Sequence, residues 1–286
     1  MHADLGVDTN GSVVSGARQR PLVCRRLRRF NPSIQPQRRQ LLRRIPSTRP
    51  LCLVLLSLFR ALATFDPTNR IYSAGSDQTI KVWDLHDNLL TPLISLDSEQ
   101  GKVYTLAIYN NTLLSGSSNN AIKIWNLDTH ECIGQLVGHT SGVNSIKVHN
   151  DVLISASADK TVKIWDLATL KCLTTIAQQS SEVLDISVAD NMLFTSTYDA
   201  NITAFNLEDF SRQGMLTGHQ WEVWRLQSYN GTLWSGSHDH TIKRWDTRNL
   251  KSDLTLVGHK GYIHALVAYE SGLISGCADK TIKHWN

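Results

Sequence analysis

An aromatic residue recurs at an almost constant interval through most of this 286-residue chain. The first two members are 42 residues apart, and each later pair is 40 residues apart. Each one ends a similar eleven-residue segment that begins with Ser or Thr, such as 155–165. A period of this length indicates stacked structural repeats rather than one irregular core. The six recurring residues are Trp83, Trp125, Trp165, Phe205, Trp245 and Trp285.

Within each repeat, short apolar and β-branched runs alternate with turn residues. In the third repeat the runs are 143–148, 152–157, 161–165 and 172–176, and no helical period is present. Four short strands in each repeat predict an all-β fold, a β-propeller of four-stranded blades. The propeller is expected to occupy residues 51–286. Six repeats are recognisable, and an incomplete set of seven is an alternative.

A Gly-His pair precedes three of the aromatic residues at a fixed distance, at 138–139, 218–219 and 258–259. With the repeated segments, these pairs make the chain resemble the WD-repeat family. In that family the His, a strand Ser or Thr, a turn Asp and the Trp form a hydrogen-bonded tetrad that satisfies buried polar groups. The resemblance implies three full structural tetrads: His139, Ser155, Asp159 and Trp165; His219, Ser235, Asp239 and Trp245; His259, Ser275, Asp279 and Trp285.

Repeats one, two and four depart from this pattern. Repeat one has no identifiable His, and repeat two has Glu99 and Asn119 at the His and Asp positions. Repeat four has Gln179 for His and Phe205 for Trp. These blades are predicted to be less tightly fixed than the others. Within the family, the chain is most similar to the WD domains of amoebal myosin heavy chain kinases and of a RING ubiquitin ligase of the tumour-necrosis-receptor-associated-factor type.

The first fifty residues differ sharply in composition from the repeats. Residues 1–60 contain twelve Arg, no Lys and two acids, which gives +10, whereas the remainder carries −6. Residues 1–50 are therefore predicted to be an Arg/Pro-rich leader that is disordered or an artefact of gene prediction. The alternative is that residues 18–49 bind nucleic acid or another anionic surface through their arginine pairs.

Several classes of protein are excluded by composition. The longest apolar run, Leu51–Phe59, is too short to span a membrane, which takes about twenty residues. Five cysteines without a C-x-x-C pair favour free thiols in a reducing compartment, so a cytoplasmic location is expected. Cys132 and Cys172 share a repeat position and are predicted to pack within their blades. The His and Asp residues follow the repeat, so no enzyme, cofactor or metal is predicted.

One strand is expected to complete the last blade. The final repeat contains three predicted strands, which leaves Thr281–Trp285 with an unpaired edge. Leu51–Leu56 is apolar and lies just before the first repeat, so it is predicted to pair with this edge.

The predicted function is binding of a protein or peptide by a non-catalytic scaffold or substrate-recognition module, and the protein is expected to be a monomer. The resemblance implies that partners contact the face that carries the Gly-His loops. Aromatic residues at those positions concentrate in repeats four to six, and large rings often dominate binding energy. The predicted partner-binding residues are Tyr104, Tyr198, Trp221, Glu222, Trp224, His238, Tyr262 and His264.

Overall fold

The computed structural model describes residues 6–7, 13–14, 59–65, 70–84, 92–97, 101–177, 179–269 and 272–286. These residues form strands, turns and connecting loops, which confirms the all-β prediction. They include no helix that is long and apolar enough to cross a membrane. In the leader, β1 (Gly6–Val7) pairs with β2 (Val13–Val14). Residues 18–49 and Leu51–Leu56 lie outside the described residues, so the nucleic-acid and closing-strand predictions stay untested.

The other strands form six antiparallel sheets, the blades, in which strands that follow one another in sequence are neighbours. Blades one to five have four strands, and blade six has three in the described part of the chain. Blade one contains β3 (Phe59–Phe65), β4 (Arg70–Gly75), β5 (Thr79–Asp84) and β6 (Ile94–Asp97); blade two contains β7 (Val103–Tyr109), β8 (Thr112–Ser117), β9 (Ile122–Asn126) and β10 (Cys132–Leu136).

Blades three to six repeat this arrangement. Blade three contains β11 (Val143–His149), β12 (Val152–Ser157), β13 (Val162–Asp166) and β14 (Lys171–Ile176); blade four contains β15 (Val183–Ala189), β16 (Met192–Thr197), β17 (Ile202–Asn206) and β18 (Arg212–Leu216). Blade five contains β19 (Val223–Tyr229), β20 (Thr232–Ser237), β21 (Thr241–Asp246) and β22 (Lys251–Val257); blade six contains β23 (Ile263–Tyr269), β24 (Gly272–Cys277) and β25 (Ile282–Trp285).

The chain divides into two compact units. Val23–Gly138 contains blades one and two, and His139–Asn286 together with Met1–Leu22 contains blades three to six. The propeller-type blade is therefore the building block of both units.

Tight turns set the strand register in each blade. In blade three, Asn150 and Asp151 have φ values of 46° and 64° and join β11 to β12. Positive φ at both central residues defines a two-residue turn that matches the natural twist of a hairpin. Asn, Asp and Gly tolerate this conformation, and Asp190–Asn191 and Asn230–Gly231 form the corresponding turns in blades four and five.

The core lies between consecutive blades of each unit. Within a unit, the face of a blade that packs on the next blade in sequence is called its trailing face, and the face that packs on the previous blade is called its leading face; the corresponding faces of the other blades keep these names. Between blades three and four, the trailing face contributes Ile154 and Val162, and the leading face contributes Leu193 and Phe205. All four side chains are fully buried. Burial of a large apolar side chain stabilises a fold by about 1.5–3 kcal/mol, which one isolated sheet could not obtain on both faces.

The prediction for two cysteines is wrong. Cys132 and Cys172 are exposed, because each lies at the start of an outermost strand, where no further strand covers it. Each thiol instead contacts a carbonyl oxygen of its own strand, Gly134 at 3.5 Å and Thr174 at 3.4 Å.

Candidate protein-interaction face

A buried hydrogen-bond chain links the strands of blade five. Trp245 Nε1 donates to Ser235 Oγ at 2.7 Å, and this hydroxyl lies 2.7 Å from His219 Nε2. On the other side of the imidazole, His219 Nδ1 lies 2.7 Å from Asp239 Oδ2. The same three contacts recur at 2.7–3.1 Å in blades three and six. Each chain joins the loop before the first strand to the second and third strands of its blade.

The protonation states of this chain follow from burial. Burial lowers the pKa of His219 and outweighs the hydrogen bond and charge of Asp239, which act in the opposite direction. Burial alone would raise the pKa of Asp239, but hydrogen bonds from His219, Thr241 and the Gln220 amide lower it well below its ordinary value. A neutral imidazole then donates from Nδ1 to the carboxylate and accepts the Ser235 proton at Nε2. Each of these polar groups is already hydrogen-bonded to another member of the chain, which is typical of a structural element.

Blade four has a shorter chain of hydrogen bonds at the position of the tetrad. Phe205 is fully buried and has no indole N–H to donate. The Thr195 hydroxyl donates instead to Gln179 Oε1 at 3.1 Å. Gln179 Nε2 is buried and has no hydrogen-bond partner among the described residues. Buried polar groups normally have hydrogen-bond partners, so internal hydrogen bonds stabilise blade four less than blade five.

Aromatic side chains cluster at one end of blades four to six, on the loops after the Gly-His pairs, in the turns after the second strands and at the starts of the first strands. We call this cluster the aromatic face; it comprises Tyr198, Trp221, Glu222, Trp224, His238, Tyr262 and His264. The exposed fractions of Trp221, Tyr198 and Tyr262 are 62%, 51% and 37%. Tyr104 is half-buried, but it belongs to the other compact unit. The structure thus brings together seven of the eight predicted residues within one unit.

His238 lies at the centre of the aromatic face. Its Nδ1 is 2.8 Å from Glu222 Oε2. Its ring packs edge-on against Tyr262 at a centroid distance of 4.8 Å, and the Trp221 ring lies 6.2 Å away. Tyr262 in turn packs edge-on against His264 at 4.4 Å. Such contacts fix the rings before any partner binds, which lowers the entropy lost on binding.

Glu222 is a buried carboxylate beneath these rings, with an exposed fraction of 7%. Burial would raise its pKa, but hydrogen bonds from its own backbone amide, His238 and Tyr198 lower the pKa below its ordinary value. The hydrogen bond with this carboxylate also raises the pKa of Tyr198. Glu222 is therefore ionised at neutral pH, and the aromatic face carries a fixed negative charge.

Trp224, the remaining ring of the aromatic face, is half-buried on the first strand of blade five. Its backbone oxygen accepts from Arg225 Nη1 at 3.0 Å, and Arg225 Nε donates to the carbonyl oxygen of His264 at 2.7 Å. This guanidinium therefore ties the first strand of blade five to that of blade six. The Trp224 indole nitrogen is buried and has no hydrogen-bond partner in the described part of the chain.

Asp185 is an important residue that the sequence analysis did not identify. It is 6% exposed and lies on the first strand of blade four. Its Oδ1 accepts from the Ser145 hydroxyl of blade three at 2.7 Å, and its Oδ2 accepts from the Leu226 amide of blade five at 2.9 Å. One carboxylate thus connects three blades. The sequence signal that could have identified Asp185 is the presence of an acidic residue within the apolar run Val183–Val188.

Three potential metal ligands approach one another in blade six, namely His259, Cys277 and Asp279. Cys277 Sγ donates to Gly261 O at 3.0 Å and accepts from the Asp279 amide at 3.3 Å. Ser237 makes the same two contacts in blade five, so the thiol replaces a hydroxyl. Burial raises the pKa of the Cys277 thiol to about 11, which disfavours the thiolate that a metal requires. The cluster is a variant of the tetrad environment.

Comparison with known families identifies the class of the protein. The family described as WD domain, G-beta repeat, matches residues 57–84, 90–126, 130–166, 210–246 and 250–286, which together exceed half of the chain. The chain therefore belongs to the WD-repeat family. The matched segments omit 167–209, which includes the first three strands of the blade with Phe205 in place of Trp.

Curated relatives match over shorter segments. Myosin heavy chain kinase C of Dictyostelium discoideum is 32% identical over 76 residues, 27% of this chain and 9% of the relative. Autophagy-related protein 16 of Arabidopsis thaliana is 29% identical over 99 residues, 35% of this chain and 18% of the relative. The chain thus aligns with less than a fifth of the length of either relative.

Solved structures share the fold over most of the chain. The computationally designed Ika8 protein is 28% identical, with a TM-score of 0.67 over 79% of this chain and 70% of its own. The WD40 β-propeller domain of Doa1 is 21% identical, with a TM-score of 0.72 over 79% of this chain and 77% of its own. The β-propeller fold class predicted from the repeats is confirmed by these similarities.

Proposed function

We propose that this protein is a non-catalytic scaffold or substrate-recognition module that binds a protein or peptide partner through the aromatic face. The observation that carries the proposal is the set of exposed rings around the ionised, buried Glu222. Protein interfaces are enriched in such aromatic anchors, and their central residues contribute most of the binding energy.

The chemistry of the aromatic face favours a basic residue beside an apolar one. Glu222 supplies a negative charge, and exposed Glu182 lies next to Tyr198, whose amide donates to the Glu182 carbonyl at 3.0 Å. A Lys or Arg side chain placed over Trp221 would gain both cation–π and ionic attraction. An aliphatic or aromatic neighbour of that residue would pack against Tyr262.

The hydrogen bonds of the tetrads support a structural rather than a catalytic role for their His, Ser and Asp residues. Ser235 is fully buried, and its hydroxyl already has two partners, so no substrate could reach it as it could reach a nucleophile. A cytoplasmic location fits the free thiols of Cys132, Cys172 and Cys277.

The proposal can be tested by selecting peptides from a randomised display library on the immobilised full chain. We expect wild-type protein to enrich peptides that carry Lys or Arg next to an apolar residue. Glu222→Gln should lose the preference for the basic residue, and Trp221→Ala should reduce enrichment as a whole. Leu173→Ala is the matched control, because Leu173 is 58% exposed on an outer strand of blade three.

Two results would contradict the proposal. One is the absence of any enriched sequence on wild-type protein. The other is an equal loss of enrichment for Leu173→Ala and Trp221→Ala, which would indicate nonspecific adhesion to exposed apolar side chains.

A further inference from the structure

The trailing face of blade six is apolar, and no other blade in the described part of the chain covers it. Ile274 and Ile282 have exposed fractions of 38% and 42%, and Val267, the cross-strand partner of Ile274, is 56% exposed. The residues that correspond to Ile282 in blades one to five are all fully buried: Ile80, Ile122, Val162, Ile202 and Ile242. A position that is buried in five blades and open in the sixth identifies a missing neighbour.

Glycine packing indicates what kind of neighbour this face fits. A Cβ on Gly236, in the trailing face of blade five, would meet Ile263 of blade six at 2.6 Å. Gly276 is the corresponding residue of blade six, and a Cβ there would meet only Ala265 of its own sheet, at 3.4 Å. The space that lets the next blade approach closely is therefore present in blade six and unused.

Blade one has an apolar leading face that matches the trailing face of blade six. Ile71 and Trp83 form its leading face, and both are half-buried. The residues that correspond to Ile71 in blades two to six are at most 1% exposed: Leu113, Leu153, Leu193, Leu233 and Leu273. Blade one thus offers the type of leading face that covers the trailing face of the preceding blade within each unit.

We propose that a second copy of this protein covers the open face, with blade one of one copy packed on blade six of the other. The contact would repeat the packing seen between blades three and four, in which Ile154 and Val162 meet Leu193 and Phe205. Because the two surfaces differ, the association is head-to-tail and can continue beyond two copies. This proposal departs from the monomer expected from the sequence.

The test is the molar mass of the full chain in solution, measured by size-exclusion chromatography with light scattering over a wide range of concentrations. Wild-type protein should show a mass that rises with concentration. Ile282→Asp should be monomeric because it blocks the trailing face, and Ile71→Asp should be monomeric because it blocks the leading face. A mixture of these two variants should form a one-to-one dimer that does not grow, since each retains one intact surface.

Leu173→Asp provides the matched control. Leu173 is 58% exposed on an outer strand of blade three, so this variant should fold with the circular dichroism and melting temperature of wild type. It should associate as wild type does. A wild-type chain that stays monomeric at every concentration, or a mixture of variants that yields no dimer, would overturn the proposal. Either result would assign the open face to another occupant, such as a segment of the same chain.

Discussion

Replacing Trp245 with Phe isolates the indole hydrogen bond of blade five. The change removes the 2.7 Å bond to Ser235, whose side chain is fully buried, and leaves the hydroxyl with His219 as its main partner. Leaving a buried polar atom short of a bond costs about 1–3 kcal/mol. The smaller ring also leaves an unfilled space in a close-packed core. Together these effects predict a loss of about 2–4 kcal/mol in the free energy of unfolding.

The loss can be measured by guanidinium unfolding followed by circular dichroism. Hydrogen–deuterium exchange should show the local effect as faster exchange in β20 and β21 than in the strands of blade three. Trp221→Phe is the matched control, because Trp221 is 62% exposed on the aromatic face. This control should change the free energy of unfolding by less than about 0.5 kcal/mol.

Equal effects of the two substitutions would refute this reasoning, since the hydrogen bond would then contribute nothing beyond ring size. An unchanged exchange rate in blade five would do the same.

Four further predictions concern other parts of the structure. Asp185→Ala should lower the free energy of unfolding by about 2 kcal/mol or more, because the Ser145 hydroxyl and the Leu226 amide lose their acceptor; chemical denaturation would detect the change. Burial holds the pKa of each tetrad histidine below its ordinary value of 6.5, so the unfolded chain takes up protons there that the folded chain does not. The melting temperature should therefore fall as pH drops through about 6.5, and a flat profile down to about pH 5 would contradict this. Cys277→Ser should retain the wild-type melting temperature because Ser237 makes the same contacts in blade five, and the Cys277 thiol should be alkylated more slowly than those of Cys132 and Cys172, as mass spectrometry can measure. Trp224→Ala should weaken binding of a selected peptide by about 2 kcal/mol in calorimetry while leaving the melting temperature nearly unchanged.

The blade architecture was predictable because it rests on local signals that recur. The runs of the third repeat coincide with β11 to β14 to within one residue, since apolar runs and turn residues fix strands in every repeat. The hydrogen bonds among His219, Ser235, Asp239 and Trp245 were implied by the resemblance to the WD-repeat family, and the repeat spacing located the residues that form them.

Contacts between blades were less predictable. The partners of Asp185 lie about forty residues away in either direction, at Ser145 and Leu226, and no local pattern joins them. The burial of Glu222 beneath the rings depends on how two loops meet, which periodicity does not describe. The cysteine error had the same origin, because a shared repeat position gives the strand of a residue but not whether another sheet covers it.

The Asp185 contacts offset the missing indole hydrogen bond inside blade four. Blade four has lost the indole donor of the tetrad, but its first strand is held to both neighbours by one carboxylate. In a linear array of repeats, stability depends on the interfaces as well as on each repeat. A strong interface compensates for a weak interior, so the stability of blade four is expected to depend more on its contacts with neighbouring blades than that of a blade with a full tetrad.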